Sequence, residues 1–285
     1  AGALGELALD RAEHLRAQGG LSYGATQIEP GSDAAESAIA NEMEAWREAG
    51  RIRRLWAGDA SLWTNTDEAG WGGWLAVVDQ EIGDLAGVQR FARRIQADGL
   101  TDVVLLGMGG SSLGPQVLAE VLGSSAGWPR FHMLDSTDPA EVKDVESAIQ
   151  IDKTLFIVSS KSGSTLEPNI FADYFLARAA KACGGETAAK HFVAVTDPGS
   201  PLERRAKAKG WAEIFYGVPS IGGRYSVLSK FGLVPGAAIG LDLEVFLRRT
   251  QPMVRAGAGD MPPAANPGVQ LGVALGVAAR DLGRD

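Results

Sequence analysis

Four hydroxyl side chains and one ammonium group crowd into six consecutive positions of the sequence. They are Ser160, Lys161, Ser162, Ser164 and Thr165. The segment directly follows the apolar run 155–158 and directly precedes a helical pattern. A phosphate group has several terminal oxygens that accept hydrogen bonds, and charge-assisted bonds to them are strong. The spacing therefore predicts a loop that holds a phosphate monoester, with a capped turn of small polar residues as the alternative.

A second loop of small residues spans 107–115 and follows the apolar run 103–106. Its Gly109 and Gly110 let the backbone approach a ligand closely, and Ser111 offers a hydroxyl beside them. No glycine stands three residues after Gly109, so the dinucleotide-binding fingerprint is incomplete. Asp135, after the next predicted strand, nonetheless has the position of a ribose-binding acid, and a nicotinamide-dependent oxidoreductase remains an alternative.

Both loops belong to a strand–loop–helix alternation that begins at residue 101. The predicted strands are 102–107, 131–135, 154–159, 191–196 and 212–216, and the predicted helices between them are 113–124, 138–149, 166–182 and 200–210. Short strands buried on both faces and separated by helices predict a parallel sheet inside a three-layer α-β-α sandwich. Ligands bind such sheets at the carboxyl ends of strands, near the point where strand order reverses. We therefore expect the two loops to face one crevice.

The rest of the chain is predicted to be helical. We expect residues 1–100 to form a helical region that packs on a sheet domain at 101–217, and residues 218–285 to lead by a loop and helices to a second domain that this chain lacks. Predicted helices in these flanking regions are 5–17, 34–56, 75–98, 226–240, 243–256 and one that begins at 266. Five of the seven tryptophans lie between Trp46 and Trp74. Large aromatics dominate core burial, which favours a helix-packing cluster over a sugar-stacking platform.

Composition excludes several classes of protein. The net charge of −8 on 285 residues disfavours binding to nucleic acid or to an anionic membrane. No apolar run is long enough to span a bilayer, and the single Cys183 is typical of a reducing cytoplasm. No set of His, Cys, Asp and Glu has metal-ligand spacing, so we expect neither a metal nor a cofactor. His132 and His191 lie in or beside predicted strands and are interpreted as structural.

Arg224 follows two glycines in a loop after the last predicted strand. A guanidinium group presents a planar fork of donors and a permanent positive charge. On its own, this arginine is as compatible with a surface ion pair as with a ligand site.

Three motifs in one order carry a family resemblance. Gly-Met-Gly-Gly-Ser-Ser-Leu-Gly-Pro at 107–115, Ser-Lys-Ser-Gly-Ser-Thr-Leu-Glu at 160–167 and Gly-Gly-Arg-Tyr-Ser at 222–226 resemble the phosphoglucose isomerase family. The resemblance extends over about residues 35–285 and is strongest to the isomerase half of bacterial transaldolase/phosphoglucose isomerase fusions. It implies a sugar-isomerase (SIS) domain with a flavodoxin-like sheet, acting on glucose 6-phosphate and fructose 6-phosphate.

The resemblance also implies roles for single residues. The residues expected to hold the sugar 6-phosphate are Ser160, Lys161, Ser162 and Thr165, with Ser164 nearby. Gly109, Gly110 and Ser111 are expected to line the sugar site. Arg224 matches the arginine that steadies the negative charge of an enediolate, and Glu167 matches an acidic or amide position of the family.

The general base of the family, a glutamate, lies on a later segment, as do a ring-opening histidine and a lysine. None of them can be matched to residues 1–285, so we expect this chain to be catalytically incomplete and to act as a homodimer or with a C-terminal half. The alternative from another class is a non-catalytic SIS sensor of sugar phosphates. Such regulators usually carry a DNA-binding helical head, and the acidic balance of this chain disfavours one.

Overall fold

The computed structural model describes residues 33–283 of the chain. The helix predicted at 5–17 lies outside the described residues. Within them the chain divides into two compact units, one formed by residues up to Leu75 together with residues from Thr250 onward, and the other by Ala76–Arg249. The second unit contains both predicted loops and Arg224. The division into three regions at residues 100 and 217 stays a prediction.

Five parallel strands form the centre of the second unit. They are β1 Asp102–Gly107, β2 Arg130–Leu134, β3 Thr154–Ser159, β4 Phe192–Thr196 and β5 Glu213–Tyr216. Their order in the sheet is β2-β1-β3-β4-β5. From β1 the chain turns to one side of the sheet, whereas from β3 it turns to the other, so strand order reverses between these two neighbours. The predicted parallel sheet and its strand positions are confirmed.

The helices of the described residues, in chain order, are α1 Asp33–Glu48, α2 Arg51–Trp56, α3 Val77–Gly83, α4 Leu85–Ala97, α5 Leu113–Leu122, α6 Pro139–Ala148, α7 Leu166–Cys183, α8 Gly185–Lys190, α9 Pro201–Lys209, α10 Lys230–Ala238, α11 Leu243–Ala256 and α12 Pro267–Leu282. Helices α6, α7 and α9 cover one face of the sheet, where Phe156 of β3 stacks on Phe175 of α7 with ring centroids 4.9 Å apart. Helix α10 contacts both α4 and α5 in the layer on the opposite face, and Phe91 of α4 packs against Phe215 of β5 there. The result is the expected three-layer sandwich.

Two helices predicted as continuous are each divided in two. Gly50 adopts a left-handed conformation with φ of 59°, which ends α1 and separates it from α2. Asp84 leaves the helical region with φ of −124° and separates α3 from α4. The apolar spacing continues across both breaks, so periodicity alone predicted one long helix where the backbone turns.

The first unit has its own small core. Ile52 of α2 packs with Val269, Val273 and Val277 of α12. Trp46 and Trp56 lie against this cluster, as the helix-packing interpretation of the tryptophans predicts. That interpretation is wrong for the three tryptophans of the following segment, whose exposed fractions are 52%, 46% and 36% for Trp63, Trp71 and Trp74.

His132 of β2 and His191, which directly precedes β4, both have structural partners. Nε2 of His132 lies 2.9 Å from Oδ1 of Asp102, and Nδ1 of His191 lies 2.8 Å from the Thr154 carbonyl oxygen. Asp102, Arg130 and Thr154 begin their strands, so both contacts lie toward the amino ends of the strands, away from the predicted loops. The structural interpretation of these histidines is confirmed.

Over residues 33–283, no helix is both long and apolar enough to cross a membrane. The same part of the chain holds no group of three or more His, Cys, Asp or Glu side chains arranged to bind a metal ion.

Asp102 provides a stability prediction. Its carboxylate is fully buried; burial raises its pKa, but hydrogen bonds from His132 and Thr101 and the charge of Arg130 outweigh this and hold the pKa below the ordinary value of 3.8. A carboxylate whose pKa is lower in the folded than in the unfolded protein stabilises the fold at pH values above its unfolded-state pKa. That contribution is lost as the pH falls through its folded-state pKa. Asp102→Asn should therefore lower the free energy of unfolding at pH 7 by about 1–3 kcal/mol and flatten its decline below about pH 4.

Urea unfolding of the wild type and of Asp102→Asn at several pH values measures this. Asp144→Asn, on the exposed surface of α6, is the control and should change little. Parallel curves of unfolding free energy against pH for Asp102→Asn and the wild type would contradict the assignment.

Candidate functional site

The loop after β3 brings its four hydroxyl groups together. Ser160 Oγ donates to Thr165 Oγ1 at 3.1 Å, and Ser164 Oγ donates to Ser162 Oγ at 3.0 Å. The Ser162 and Thr165 hydroxyl oxygens are 3.5 Å apart. The side chains predicted from spacing alone to act as one set of donors therefore lie in one hydroxyl cluster.

Two features fix the shape of this loop. Gly163 has a φ of +68°, and a Cβ atom there would lie 2.6 Å from the Leu202 backbone nitrogen, so only glycine fits. Its N–H donates to Ser160 Oγ at 3.1 Å. On the other side, the Asn169 amide donates to the Thr165 carbonyl at 2.7 Å. The hydroxyl cluster is held by contacts from its own backbone and from α7.

Lys161 lies between this loop and the segments that follow β4 and β5. Its ammonium forms an ion pair with the Asp197 carboxylate and donates to the Pro219 carbonyl oxygen at 3.0 Å. The Asp197 N–H in turn donates to the Lys161 carbonyl at 3.2 Å. Asp197 directly follows β4, and Pro219 belongs to the segment that leads to Arg224.

The loop after β1 meets the loop of Arg224 by direct backbone contact. A Cβ atom on Gly110 would lie 2.3 Å from the Gly223 carbonyl oxygen, so a side chain at this position would force the two backbones apart. Ser226 Oγ donates to the Gly110 carbonyl at 3.3 Å. The glycine pair thus brings the turn of Arg224 onto the loop that contains Gly109 and Ser111.

The first and second loops are neighbours in the sheet. Gly107 of β1 pairs in register with Ser159 of β3, and each residue is the last of its strand. Together with the Gly110 and Lys161 contacts, this pairing brings the three predicted segments to one edge of the sheet, at its switch point.

The outermost members of the candidate set differ in environment. Arg224 is exposed and lies in the short helical turn Gly223–Tyr225, while Ser111 is buried. Glu167 is half-buried in the first turn of α7. Asp135 follows the edge strand β2, on the far side of β1 from the hydroxyl cluster. The dinucleotide alternative places Asp135 beside the loop after β1 but leaves the hydroxyl cluster without a role.

Helix N-termini at this edge show a consistent difference. The helices after β2 and β4 are capped by side chains, since Asp138 accepts from the Ala140 N–H at 2.7 Å and Ser200 accepts from the Glu203 N–H at 3.0 Å. The N-cap residues of the helices after β1 and β3 are Ser112 and Thr165, neither of which makes a side-chain capping bond within the described residues. Uncapped backbone N–H groups and the positive end of the helix dipole attract an anion.

A sequence model of the phosphoglucose isomerase family matches residues 89–257, which contain all three segments of this site. The chain belongs to the phosphoglucose isomerase family. Among curated relatives, glucose-6-phosphate isomerase of Trichormus variabilis is 34% identical over 189 residues, covering 62% of this chain and 35% of the relative. The enzyme of the same name from Parasynechococcus marenigrum is 33% identical over 281 residues, covering 90% of this chain and 47% of the relative.

Solved structures agree with this family membership. A hypothetical protein from Thermus thermophilus superposes with a TM-score of 0.72 at 28% identity, covering 86% of this chain and 56% of that one. A glucose-6-phosphate isomerase from Chlamydia trachomatis superposes with a TM-score of 0.62 at 28% identity, covering 87% and 48%. The chain thus spans about half the length of these structures, and half or less of the two curated relatives.

Sequence reasoning missed three residues that hold the site together: Asn169, Asp197 and Ser226. Asp197 could have been found, because it directly follows β4 and so lies at the same edge of a parallel sheet as the two loops. Asn169, four residues after Thr165, lies one helical turn above the loop. Ser226 ends the Gly-Gly-Arg-Tyr-Ser motif, but its bond to Gly110 joins residues 116 positions apart and has no local signal.

Proposed function

We propose that this chain forms the sugar-phosphate-binding part of a glucose-6-phosphate isomerase, an enzyme that interconverts glucose 6-phosphate and fructose 6-phosphate through an enediolate. The proposal rests on one observation above the others. The hydroxyl cluster, the glycine-rich loop after β1 and the turn of Arg224 meet at the switch point of the sheet, beside two helix N-termini without side-chain caps.

In this proposal the hydroxyl cluster and Lys161 bind the 6-phosphate. The four hydroxyl groups are donors of suitable size and spacing, and the first N–H groups of α7 add the helix dipole. Gly109, Gly110 and Ser111 line the sugar, with the glycines allowing close approach of backbone to ligand.

Arg224 is assigned to the reacting end of the sugar. Proton abstraction next to a carbonyl group places negative charge on an oxygen, and a fixed cation close to that oxygen lowers the barrier. The close contact of Gly110 with Gly223 supports this role, because it fixes the turn of Arg224 against the proposed sugar loop.

Isomerisation also needs a carboxylate that moves a proton between adjacent carbons. The proposal assigns that base to sequence outside this chain. Asp197 is engaged in the ion pair with Lys161, and Glu167 lies beside the phosphate end rather than the reacting end. The same reasoning gives this chain a partner, either a second copy or a further segment. The single Cys183 supports a cytoplasmic location.

A non-catalytic sensor of sugar phosphates would use the hydroxyl cluster but has no need for a cation over the sugar. The contact between the Arg224 turn and the proposed sugar loop therefore favours the isomerase. A nicotinamide oxidoreductase would use the loop after β1 and leave the hydroxyl cluster idle.

Calorimetric titration of the 285-residue chain tests the proposal. Glucose 6-phosphate and fructose 6-phosphate should bind with similar affinity, whereas glucose and NAD at the same concentrations should give no measurable heat of binding. Equal binding of glucose and its 6-phosphate, or tighter binding of NAD, would overturn it. Isomerase activity in a protein extended to the length of the curated relatives, lost in Arg224→Ala, separates the enzyme from the sensor.

A further inference from the structure

The roles assigned above give no function to the ion pair of Lys161 with Asp197. We propose that Asp197 is a positioning residue, which holds the Lys161 ammonium in place for the phosphate of the substrate. This inference rests on the proposed function, because it presumes that Lys161 binds a phosphate group.

Asp197 contacts Lys161 through both its backbone and its side chain. Its backbone N–H donates to the Lys161 carbonyl at 3.2 Å, and its carboxylate Oδ2 pairs with the Lys161 ammonium. Thr196 adds a hydrogen bond from its hydroxyl to the same Lys161 carbonyl at 3.3 Å. The last residue of β4 and the first residue after it therefore hold both the backbone and the charge of Lys161.

The other carboxylate oxygen of Asp197 indicates that this residue serves more than stability. Oδ1 is buried and has no hydrogen-bond partner among the described residues. A buried acceptor without a donor is destabilising, so an aspartate held this way calls for another explanation. Gly217 makes room for it, since a Cβ atom there would lie 2.7 Å from Oδ1.

The exposed fractions of the two side chains indicate whether Asp197 positions Lys161 for the phosphate or competes with the phosphate for it. The Asp197 side chain is 16% exposed and that of Lys161 is 25% exposed, so Asp197 is the more buried side chain of the pair. A phosphate that approaches from solvent therefore meets the more exposed lysine side chain first. A lysine without an ion-pair partner loses the conformational entropy of its four-carbon chain when it binds a ligand. A lysine whose ammonium is already fixed by an ion pair loses less entropy on binding.

Asp197→Ala in the 285-residue chain should therefore raise the dissociation constant for glucose 6-phosphate about tenfold, by analogy with the immobilisation of one long side chain. Asp197→Asn keeps an acceptor for the ammonium and should fall between the wild type and alanine. Asp144→Ala, on the exposed surface of α6, is the matched control and should bind like the wild type.

The decisive comparison is made in the Lys161→Ala background. If Asp197 acts through Lys161, adding Asp197→Ala there should cause no further loss of affinity, because the group it positions is already gone. A further tenfold loss in the double variant, or tighter binding by Asp197→Ala alone, would overturn the inference.

Thermal unfolding midpoints of all the variants show whether each is folded at the titration temperature. The proposed function is tested separately by the wild type. If the wild-type chain fails to bind glucose 6-phosphate, the proposed function fails. If the wild type binds and Asp197→Ala binds equally well, only the role of Asp197 fails.

Discussion

Arg224→Ala is expected to weaken binding of an enediolate mimic by about 100- to 1,000-fold, the range found when one charge-stabilising donor is removed from a catalytic site. A suitable mimic is a sugar-acid phosphate whose carboxylate carries negative charge where the enediolate would. Affinity for glucose 6-phosphate itself should fall much less, because the ground state has no charge at that position. The two dissociation constants, measured by calorimetry on the 285-residue chain, give the comparison.

A matched control for this experiment is Arg93→Ala, which removes an exposed arginine from α4. It should leave both dissociation constants unchanged, since α4 contributes nothing to the proposed site. Equal weakening of the mimic and of glucose 6-phosphate in Arg224→Ala would mean that Arg224 binds the substrate uniformly, against the proposed role in stabilising developing charge.

The second large effect is expected at Lys161. Lys161→Ala should raise the dissociation constant for glucose 6-phosphate by about 10- to 100-fold, which corresponds to the loss of a charged hydrogen bond. The variant also leaves the Asp197 carboxylate without its ion-pair partner, and that negative charge repels the phosphate. Both effects act on the 6-phosphate and not on the sugar ring.

The affinity for glucose, measured at concentrations high enough to displace glucose 6-phosphate, is therefore compared with the affinity for glucose 6-phosphate itself, with Lys153→Ala as control. Lys153 is exposed and precedes β3, at the opposite end of the strand from Lys161. The ratio of the two affinities should fall toward one in Lys161→Ala and stay constant in Lys153→Ala. An unchanged ratio in both variants would remove Lys161 from the phosphate site.

The sheet and its loops were predictable because their signals are local. A strand buried on both faces is an uninterrupted apolar run, and a polar segment of small residues after it marks the carboxyl end. Residues 155–158 and the hydroxyls that follow have this form, so the position of this loop and the grouping of its hydroxyl side chains could be inferred. The sequence also predicted that these loops lie at strand carboxyl ends, whereas the strand order that makes β1 and β3 neighbours came from the structure.

Contacts between distant segments could not be predicted from the sequence. The pairing of Lys161 with Asp197 spans 36 positions, and the contact of Gly110 with Gly223 spans more than a hundred. Each depends on strand order and on backbone approach, which no local pattern encodes. The breaks at Gly50 and Asp84 were missed for another reason, because the apolar periodicity continues through both.

The tryptophans show the same limit of local reasoning. Clustering in sequence predicted one packed group, but only Trp46 and Trp56 lie on helices that face the core of α12. Between α2 and α3, Trp63 lies in a turn, and Trp71 and Trp74 lie in the 3₁₀ helix Glu68–Leu75; the rings of all three stay partly in solvent. All five tryptophans are large apolar residues that favour burial, but the course of the backbone determines which of them are buried.

The most direct measurement is a titration of the isotope-labelled chain with glucose 6-phosphate, followed by the backbone amide signals in NMR spectra. We expect glucose 6-phosphate to shift the amide signals of all three segments, 107–115, 160–167 and 222–226, and inorganic phosphate to shift only those of the second segment. Shifts caused by glucose 6-phosphate that are confined to other parts of the sheet unit, or to only one of the three segments, would contradict a shared sugar-phosphate site.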